Sequence, residues 1–369
     1  MKVLQIVYSG LGGVGAVAFS LVEASLNNSK KKNNHFFLFR GKEKIYKGYV
    51  DSCMKLGIKY ENIILAGSFL SRVFETLKYL KIVINQKPNI IISHDCNVFF
   101  LFLLKIFYSF KIIYVHHTPD LTKRYIDWVN FFISIFFSNI IILVSKRPRH
   151  NFISKINKLF FQNKMFVVQN GINFNKYKNN KKFNLKKKNF NFGMAARFVD
   201  DKYQIKIIDI IKKNHEFYID KKIKFHLAGS GENLPKIKNY VAKNNLSKYI
   251  IFSGALNEKE TIKWFKKLDF YIHLSRDETS STSILQALSM SLPVIASNNF
   301  GNQNLRKKIA NNYNLILTDN NIDIIHKNIF ILINNLKKIK KLRVNSRKSI
   351  IKYFNYIKMF NSYKKFFYN

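Results

Sequence analysis

Cysteine is scarce in this sequence of 369 residues, in which Cys53 and Cys96 are the two examples. Two widely spaced cysteines are too few for a disulfide framework or a thiolate metal site, so we expect reduced thiols, which fits a reducing cytoplasm. The length suits two domains of ordinary size. An apolar fraction of 47% supplies a core for each of them.

Acidic residues are also few, since 21 Asp and Glu stand beside 63 Lys and Arg, which gives a net charge of +42. Lysine supplies nearly all of this charge and is spread over the whole chain. A nucleic-acid-binding protein more often concentrates Lys and Arg on one face, beside aromatic or helix-turn-helix signatures. We find no such signature and expect no nucleic-acid partner. Clustered basic charge does suffice for attraction to an anionic membrane surface.

Long hydrophobic runs are few, and none is a clear membrane span. The longest uncharged run, 128–145, contains several polar residues, and we expect Asn139 to separate a helix from a buried strand at 140–144. A membrane span is the minority interpretation of this run. The apolar run 1–8 is short and ends at Gly10 without a cleavage-type region, so it is interpreted as the first strand.

Strands and helices alternate in the N-terminal half, which predicts a doubly wound parallel sheet. Polar residues follow two of the strands, as His94-Asp95 and as the segment 116–120. The C-terminal ends of strands are where open α/β sheets bind ligands. A glycine-rich loop at 10–15, whose spacing does not fit the dinucleotide fingerprint, precedes a helix predicted over 16–26. The predicted strands are 2–8, 36–39, 62–65, 90–93, 112–115, 140–144 and 166–168.

The segment 176–188 is rich in Lys and Asn and lacks an apolar period, so it is predicted to be the interdomain linker. It would separate an N-terminal domain, 1–175, from a C-terminal domain, 189–350, and a final helix would follow at 351–369. After Ala296 we expect a loop and then helices to the end of the chain. The other elements predicted in this half are strands at 190–195, 225–228, 250–253 and 270–274 and a helix at 258–268.

The stretch 278–297 is the most informative. An apolar run precedes it, and it contains hydroxyl residues that can cap a helix, a helical apolar pattern over 284–290 and a second strand from Pro293. The first turn of such a helix would bind a phosphate well. Glu278 and Gln286 carry groups that hydrogen-bond the hydroxyls of a sugar or a ribose.

This stretch resembles the signature of the retaining glycosyltransferases of family 4, the group 1 glycosyltransferases. Their hallmark is two glutamates separated by seven residues and followed by Gly-x-Pro-Val-Ile-Ala. Here the first glutamate is Glu278 and the Pro-Val-Ile-Ala run is 293–296, whereas Gln286 replaces the second glutamate and Thr-Ser-Ser at 279–281 replaces Gly-Phe-Gly. The resemblance implies an α/β protein of the GT-B fold: two Rossmann-like, doubly wound domains facing a cleft, with a C-terminal helix that crosses back to the N-terminal domain.

The resemblance also implies the donor site. Arg197 and Lys202 have the spacing of the family's Arg-x-x-x-x-Lys-Gly motif, with Tyr203 in place of the glycine, and would hold the donor diphosphate. The amides near Thr282 and Ser283 would assist them.

Other parts of the donor would contact further residues. Gln286 would bind the ribose and Glu278 the sugar. Gly229 would form part of the Gly-x-Gly turn, and the backbone at Leu256 would recognise the base. In the N-terminal domain the implied residues are the loop glycines Gly12 and Gly13 and the sugar-positioning His116, with His117 as its competitor.

The function implied is metal-independent, retaining transfer of a sugar from a nucleotide-diphospho-sugar to a glycan or lipid-linked acceptor, in bacterial surface polysaccharide synthesis. We expect no cofactor, and no metal because no Asp-x-Asp stands at a strand end. The alternatives are an epimerase on the same fold and a non-catalytic subunit that binds a nucleotide sugar or a membrane.

A basic, aromatic stretch is predicted to dock peripherally on the inner face of the cell membrane, with the protein in the cytoplasm. A layer of lysines that cover apolar surface is the alternative interpretation. The members of the stretch are Lys105, Lys123, Arg124, Tyr125, Lys146, Arg147, Arg149 and Lys155.

Overall fold

A computed structural model describes residues 1–28, 33–65, 69–146, 152–160, 164–179, 184–309 and 312–368. The chain forms two compact units. The first contains Met1–Gly171 and Tyr356–Asn369, and the second contains Ile172–Asn355. Each unit has its own buried apolar clusters.

The first unit is built on a parallel sheet with the strand order β3-β2-β1-β4-β5-β6-β7. The sheet grows from β1 in both directions, which is the doubly wound arrangement that the sequence predicts. Its interior strands are buried on both faces, as expected for continuous apolar runs covered by helices. The strands are β1 Lys2–Tyr8, β2 Asn34–Gly41, β3 Lys59–Ile64, β4 Ile90–His94, β5 Lys111–His116, β6 Ile140–Leu143 and β7 Met165–Val167.

Helices connect these strands. The first begins at Gly13, three residues before the predicted start, so the glycine loop is shorter than expected. A 3₁₀ turn at Asp120–Thr122 follows β5. The helices are α1 Gly13–Asn28, α2 Lys47–Leu56, α3 Phe69–Gln86, α4 Phe99–Leu104, α5 Tyr125–Phe137 and α6 Phe152–Phe160.

The uncharged run 128–145 contains a helix and a strand, as predicted. Helix α5 ends at Phe137 and β6 begins at Ile140. Between them, the side-chain oxygen of Asn139 accepts hydrogen bonds from the backbone N–H of Ile112 at 2.9 Å and from Nζ of Lys105 at 2.8 Å. Among the helices that the structure describes, none combines the length and the apolar character that crossing a bilayer takes.

The second unit repeats the architecture with the strand order β10-β9-β8-β11-β12-β13. The sequence predicted only helices after Ala296, and this was wrong. Leu315–Thr318 pairs in parallel with β12, and this short apolar run too closely resembles part of a helix to be recognised by its pattern. The strands are β8 Phe190–Ala195, β9 Ile223–Ala228, β10 Ile250–Gly254, β11 Phe270–His273, β12 Val294–Ser297 and β13 Leu315–Thr318.

Helices also join the strands of the second unit. Asn257 and Glu260 form the capping box predicted for α10, with bonds of 2.9 and 3.0 Å. The helices are α7 Gln204–Lys213, α8 His215–Asp220, α9 Leu234–Lys243, α10 Glu258–Lys267, α11 Thr282–Ser289, α12 Phe300–Arg306, α13 Ile322–Asn334 and α14 Leu336–Tyr353.

The segment that leads into the second unit is held to it by Arg347 of α14. One guanidinium nitrogen donates to the carbonyl of Phe174 at 3.1 Å, and the other donates to the carbonyls of Tyr177 and Ser289. The aromatic ring of Tyr177 packs against Phe265. Residues 172–179 therefore pack within the second unit.

The last helix, α15 Tyr356–Tyr368, belongs to the first unit, as the family resemblance implied. It packs against α1 and the sheet. Its buried residues recur at helical spacing and form one apolar face: Tyr356, Met359, Phe360, Tyr363 and Phe367.

We expect Phe360→Ala to lower the free energy of unfolding of the first unit by about 3–5 kcal/mol, because it removes a ring that is 1% exposed. Each unit contains one of the two tryptophans, Trp128 in the first and Trp264 in the second, so the fluorescence of each unit can be followed separately. Urea denaturation followed by fluorescence in a Trp264→Phe background therefore reports on the first unit. The exposed Lys364→Ala is the matched control, and an equal effect of both changes would contradict the packing of α15.

Candidate active site

The predicted donor residues lie where the strand order of the second sheet reverses. Strands β8 and β11 are neighbours in the sheet, although β9 and β10 separate them in the sequence. Arg197 and Lys202 follow the C-terminal end of β8, and Glu278 follows the C-terminal end of β11. Such a reversal leaves a crevice at the carboxyl ends of the two strands, which is where open α/β sheets bind ligands.

The carboxylate of Glu278, whose side chain is 12% exposed, is held by two partners, the Lys202 ammonium and the His273 ring. Lys202 forms an ion pair with its Oε1, and Nε2 of His273 lies 2.8 Å from the same oxygen. Burial alone would raise the pKa of Glu278, but the charge of Lys202 and the hydrogen bond from His273 outweigh burial and lower the pKa to about 2. Glu278 is therefore ionised at neutral pH.

His273 and Tyr271 on β11 orient this carboxylate, and the sequence interpretation missed both. Burial lowers the pKa of His273, so its ring is neutral at neutral pH. Because the ionised Glu278 can only accept, Nε2 of His273 carries the proton and Nδ1 accepts from the Tyr271 hydroxyl at 3.2 Å. The alternation of β11 could have indicated the pair, since residues 271 and 273 share a face at the end of the strand.

The exposed side chain of Arg197 lies on a loop with a fixed backbone. The N–H groups of its two neighbours in the chain, Ala196 and Phe198, donate to the carbonyls of Ala228 and Ser230 at 3.0 and 2.9 Å. Gly229 has a φ of 137°, and a Cβ there would lie 2.0 Å from the Ala196 carbonyl oxygen. Glycine at this turn therefore lets the two loops pack together.

The carboxyl ends of β11, β12 and β13 are joined by polar side chains. Ser297 accepts from the backbone N–H of Ser275 at 2.8 Å and donates to Asn320 at 2.6 Å. A Cβ on Gly301 would lie 2.1 Å from the Glu278 carbonyl oxygen, so α12 begins directly against the segment that carries Glu278. These contacts, which the sequence interpretation also missed, fix the loop between β11 and α11.

Helix α11 begins at Thr282, followed by Ser283, close to the sequence prediction. Ser281 occupies the N-cap position but makes no side-chain hydrogen bond to the helix, so the expected hydroxyl cap does not form. Gln286 is 9% exposed, and its Nε2 donates to the hydroxyl of Tyr177 at 2.9 Å. Leu256 lies in the turn after β10, where its carbonyl accepts from the Thr261 hydroxyl at 3.3 Å.

The predicted residues of the first unit lie at the carboxyl ends of its own strands. Gly12 is held at both its N–H and its carbonyl by the hydroxyl of Tyr49, at 3.1 and 2.8 Å, and Gly13 starts α1. His116 ends β5 with its Nδ1 2.9 Å from Oδ1 of Asp95. His117 follows in the loop.

Residues 175–349 match the model of the family described as glycosyl transferases group 1. The match covers most of the second unit, Ile172–Asn355. The resemblance to group 1 glycosyltransferases found in the sequence is thereby confirmed, whereas the assignment to family 4 stays a prediction. The chain consists of two Rossmann-like units of the GT-B fold.

Curated relatives and solved structures also resemble this chain. An uncharacterised glycosyltransferase of Methanocaldococcus jannaschii is 31% identical over 188 residues, which is 50% of this chain and 48% of that protein. An Escherichia coli UDP-Gal:alpha-D-GlcNAc-diphosphoundecaprenol alpha-1,3-galactosyltransferase is 27% identical over 210 residues, 54% of this chain and 53% of that protein. The chain spans about half the length of the curated relatives it matches. The structure of Anabaena HepE with UDP-glucose has a TM-score of 0.79 at 15% identity and covers 99% of both chains.

We expect Lys202→Met to destabilise the second unit by about 3 kcal/mol at pH 7, because it leaves the buried Glu278 charge without its cation. The wild-type pKa of Glu278, about 2, lies below its ordinary 4.5, so the interaction stabilises the fold above pH 4.5 and is lost as the pH falls toward 2. The difference between wild type and Lys202→Met should therefore shrink at low pH.

Urea denaturation followed by Trp264 in a Trp128→Phe background measures this effect. Adding Glu278→Gln to Lys202→Met removes the stranded charge and should restore part of the stability. A loss in Lys202→Met that is the same at every pH would show that the ion pair is not its cause.

Proposed function

We propose that this protein is a retaining glycosyltransferase that moves a sugar from a nucleotide-diphospho-sugar, with UDP-hexoses as the first candidates, to a lipid-linked saccharide during synthesis of a bacterial surface polysaccharide. The observation that carries the proposal is the ionised Glu278, held by Lys202 and His273 at the strand-order reversal of a group 1 glycosyltransferase domain. We choose UDP as the nucleotide because the similar structure of HepE contains UDP-glucose. We choose a lipid-linked acceptor because the E. coli relative transfers galactose to a diphosphoundecaprenol-linked sugar.

The arrangement suits a sugar diphosphate. The exposed guanidinium of Arg197 and the first-turn amides of α11 offer donors to the phosphate oxygens, while Glu278 accepts from sugar hydroxyls. Lys202 contacts Glu278, which would bind the sugar. Its ammonium would therefore lie between the sugar and the diphosphate. Positive groups at the leaving diphosphate stabilise the charge that develops there, so the reaction needs no metal.

The retaining outcome would follow from attack on the face that the diphosphate leaves. A diphosphate oxygen would accept the proton of the attacking hydroxyl, and no protein base would be required. We expect a chelator to leave the transfer rate unchanged. A strict requirement for an added divalent cation would contradict this assignment.

The donor site can be tested by thermal shift with UDP-glucose and UDP-galactose. A ligand at about a hundredfold its dissociation constant stabilises the native state by about 2.7 kcal/mol. We expect a raised melting temperature in the wild type and no rise in Arg197→Ala. Lys327→Ala removes a charge from an exposed part of α13 and is the matched control. No shift with any nucleotide sugar in the folded wild type would favour the non-catalytic alternative.

The proposed membrane contact is a surface of the first unit formed by α4, the turn after it and the start of α5. Helix α4 packs on α5 through Phe102 and Phe137, whose ring centroids are 4.5 Å apart. Ile106 and Phe107 in the turn are 72% and 77% exposed, and Tyr125 is 85% exposed. Exposed apolar groups in a region that also carries exposed basic side chains such as Arg124 suit an anionic bilayer.

The structure shows that not every residue of the predicted basic stretch is a surface charge. The side chain of Lys123 is 1% exposed, since it pairs with Asp120 and lies over the ring of Trp128 at 4.3 Å. It is therefore not a surface charge. Lys105 is half-buried, and Arg124, Lys146 and Lys155 are exposed. The arginines at 147 and 149 lie outside the described residues.

We expect Ile106→Ser with Phe107→Ser to reduce co-sedimentation with vesicles that contain phosphatidylglycerol, because it removes apolar area that would enter the interface. Phe330→Ser, at a position of the second unit that is 49% exposed, is the control. Binding that is indifferent to these changes and to the anionic lipid content would argue against the membrane contact.

A further inference from the structure

One guanidinium at the carboxyl edge of the first sheet is only partly satisfied by the protein. Arg40 is the last residue but one of β2, and its register partner, Tyr8, ends β1. The side chain of Arg40 is half-buried, and its Nε is enclosed without a hydrogen-bond partner among the residues that the structure describes. No carboxylate in the described part of the chain forms an ion pair with Arg40.

The guanidinium of Arg40 is held by an aromatic ring. Its Cζ lies 4.3 Å from the ring centroid of Tyr79 on α3, a residue that is 1% exposed. A planar guanidinium that already stacks on a fixed ring loses little further freedom when it binds a ligand. The Tyr79 hydroxyl is enclosed too and, within the described ranges, has no hydrogen-bond partner. Leaving such donors unsatisfied is costly, so this pair favours an acceptor from a ligand.

The charge around Arg40 indicates which acceptor fits. Lys42 and Lys44 are exposed in the loop that follows β2, so the surroundings of the guanidinium are mainly positive. The fork of donors on a guanidinium matches two oxygens of a phosphate or a carboxylate. A phosphate carries more oxygens and more charge than a carboxylate, and it can therefore bond to several donors at once. Arg40 thus has the properties of a phosphate-binding group.

The neighbouring residue Tyr8 adds a surface for a carbohydrate. It is 37% exposed, and its hydroxyl lies 3.3 Å from Oε1 of Glu43, to which it donates. A Cβ on Gly10 would lie 2.6 Å from Cε1 of the Tyr8 ring, and a Cβ on Gly41 would lie 2.7 Å from Cε2, so two glycines make room for the ring. An exposed aromatic ring packs on the C–H face of a sugar, and a carboxylate accepts hydrogen bonds from sugar hydroxyls.

We propose that Arg40, Tyr8 and Glu43 form a subsite of the first unit for a phosphorylated saccharide. Arg40 binds the phosphate, while Tyr8 and Glu43 bind the sugar. The inference rests on the proposed function, because it assigns the subsite to the acceptor and assigns the anion to the diphosphate that joins the acceptor saccharide to its lipid. Arg40 thereby selects a lipid-linked saccharide over a free glycan.

Removing the diphosphate from the acceptor tests the role of Arg40. With UDP-glucose or UDP-galactose as donor, a synthetic GlcNAc-diphospho-lipid is compared with the GlcNAc glycoside of the same alcohol. Arg40→Gln should raise the KM for the diphospho-lipid about 10- to 100-fold, as expected for one lost charged hydrogen bond. The KM for the glycoside and for the donor should not change.

The matched control for Arg40→Gln is Lys59→Gln, which removes one exposed charge at the amino end of β3. It should keep the wild-type KM for both acceptors. An equal loss with both acceptors in Arg40→Gln, or no loss with either, would overturn the phosphate contact.

Variants of Tyr8 and Glu43 test the sugar contact separately. Tyr8→Ala should raise the KM for both acceptors about tenfold, because both contain the saccharide that the ring would contact. Tyr8→Phe keeps the ring and should lose less, and Glu43→Ala should also raise the KM for both acceptors. Melting temperatures establish that each variant is folded. An equal loss in Tyr8→Phe and Tyr8→Ala, or a wild-type KM in Glu43→Ala, would overturn the sugar contact.

Calorimetry without a donor tests the subsite independently of transfer. The wild type should bind GlcNAc 1-phosphate about tenfold more tightly than inorganic phosphate or GlcNAc. Arg40→Gln should lose this preference and Lys59→Gln should keep it. Equal binding of inorganic phosphate and GlcNAc 1-phosphate would indicate general attraction to a chain of net charge +42 and would overturn the subsite. If the expected preference is found but no nucleotide sugar supports transfer, the proposed function fails and the subsite stands.

Discussion

The order in which the parallel strands pair is the constraint on which both candidate regions depend. In each unit the first strand pairs on one side with the second strand and on the other with the fourth, β4 in the first unit and β11 in the second. Connections therefore leave the sheet in opposite directions on the two sides of β1 and of β8. The carboxyl ends of these neighbouring strands are left uncovered by a connection, and the polar groups of each unit gather there.

Both units place a largely enclosed carboxylate at that position, since the side chains of Glu278 and Asp95 are 12% and 21% exposed. Glu278 and Asp95 each follow a strand, and an isolated buried carboxylate would be costly. The second unit offsets this cost with a cation, since Lys202 pairs with Glu278. The first unit does so with imidazole, hydroxyl and backbone N–H donors around Asp95. The pairing of Glu278 with a lysine fits the proposed donor site, because a lysine near a diphosphate also serves the ligand.

The sequence predicted elements well where the pattern was long and continuous. The strand at 190–195 was placed at its observed bounds, because its large apolar residues alternate regularly and Phe190, Phe192 and Met194 are all buried. Contacts across the sheet could not be predicted in the same way. Lys202 and Glu278 are 76 residues apart, and His273 is concealed within an apolar strand. Lys123 was wrongly predicted to be a surface charge, because composition does not show that its ammonium lies over the ring of Trp128.

Gln286 shows how the structure accommodates a departure from the family pattern. Its Nε2 donates to the Tyr177 hydroxyl, which a glutamate could not do, so the amide is oriented by the segment that leads into the second unit. The same segment is held by Arg347, whose guanidinium also binds the carbonyl of Ser289 at the end of α11. Orientation by Tyr177 leaves the carbonyl oxygen of Gln286 to accept from a ribose hydroxyl. A neutral acceptor binds more weakly than a carboxylate, so the proposed ribose contact would retain its geometry and lose strength.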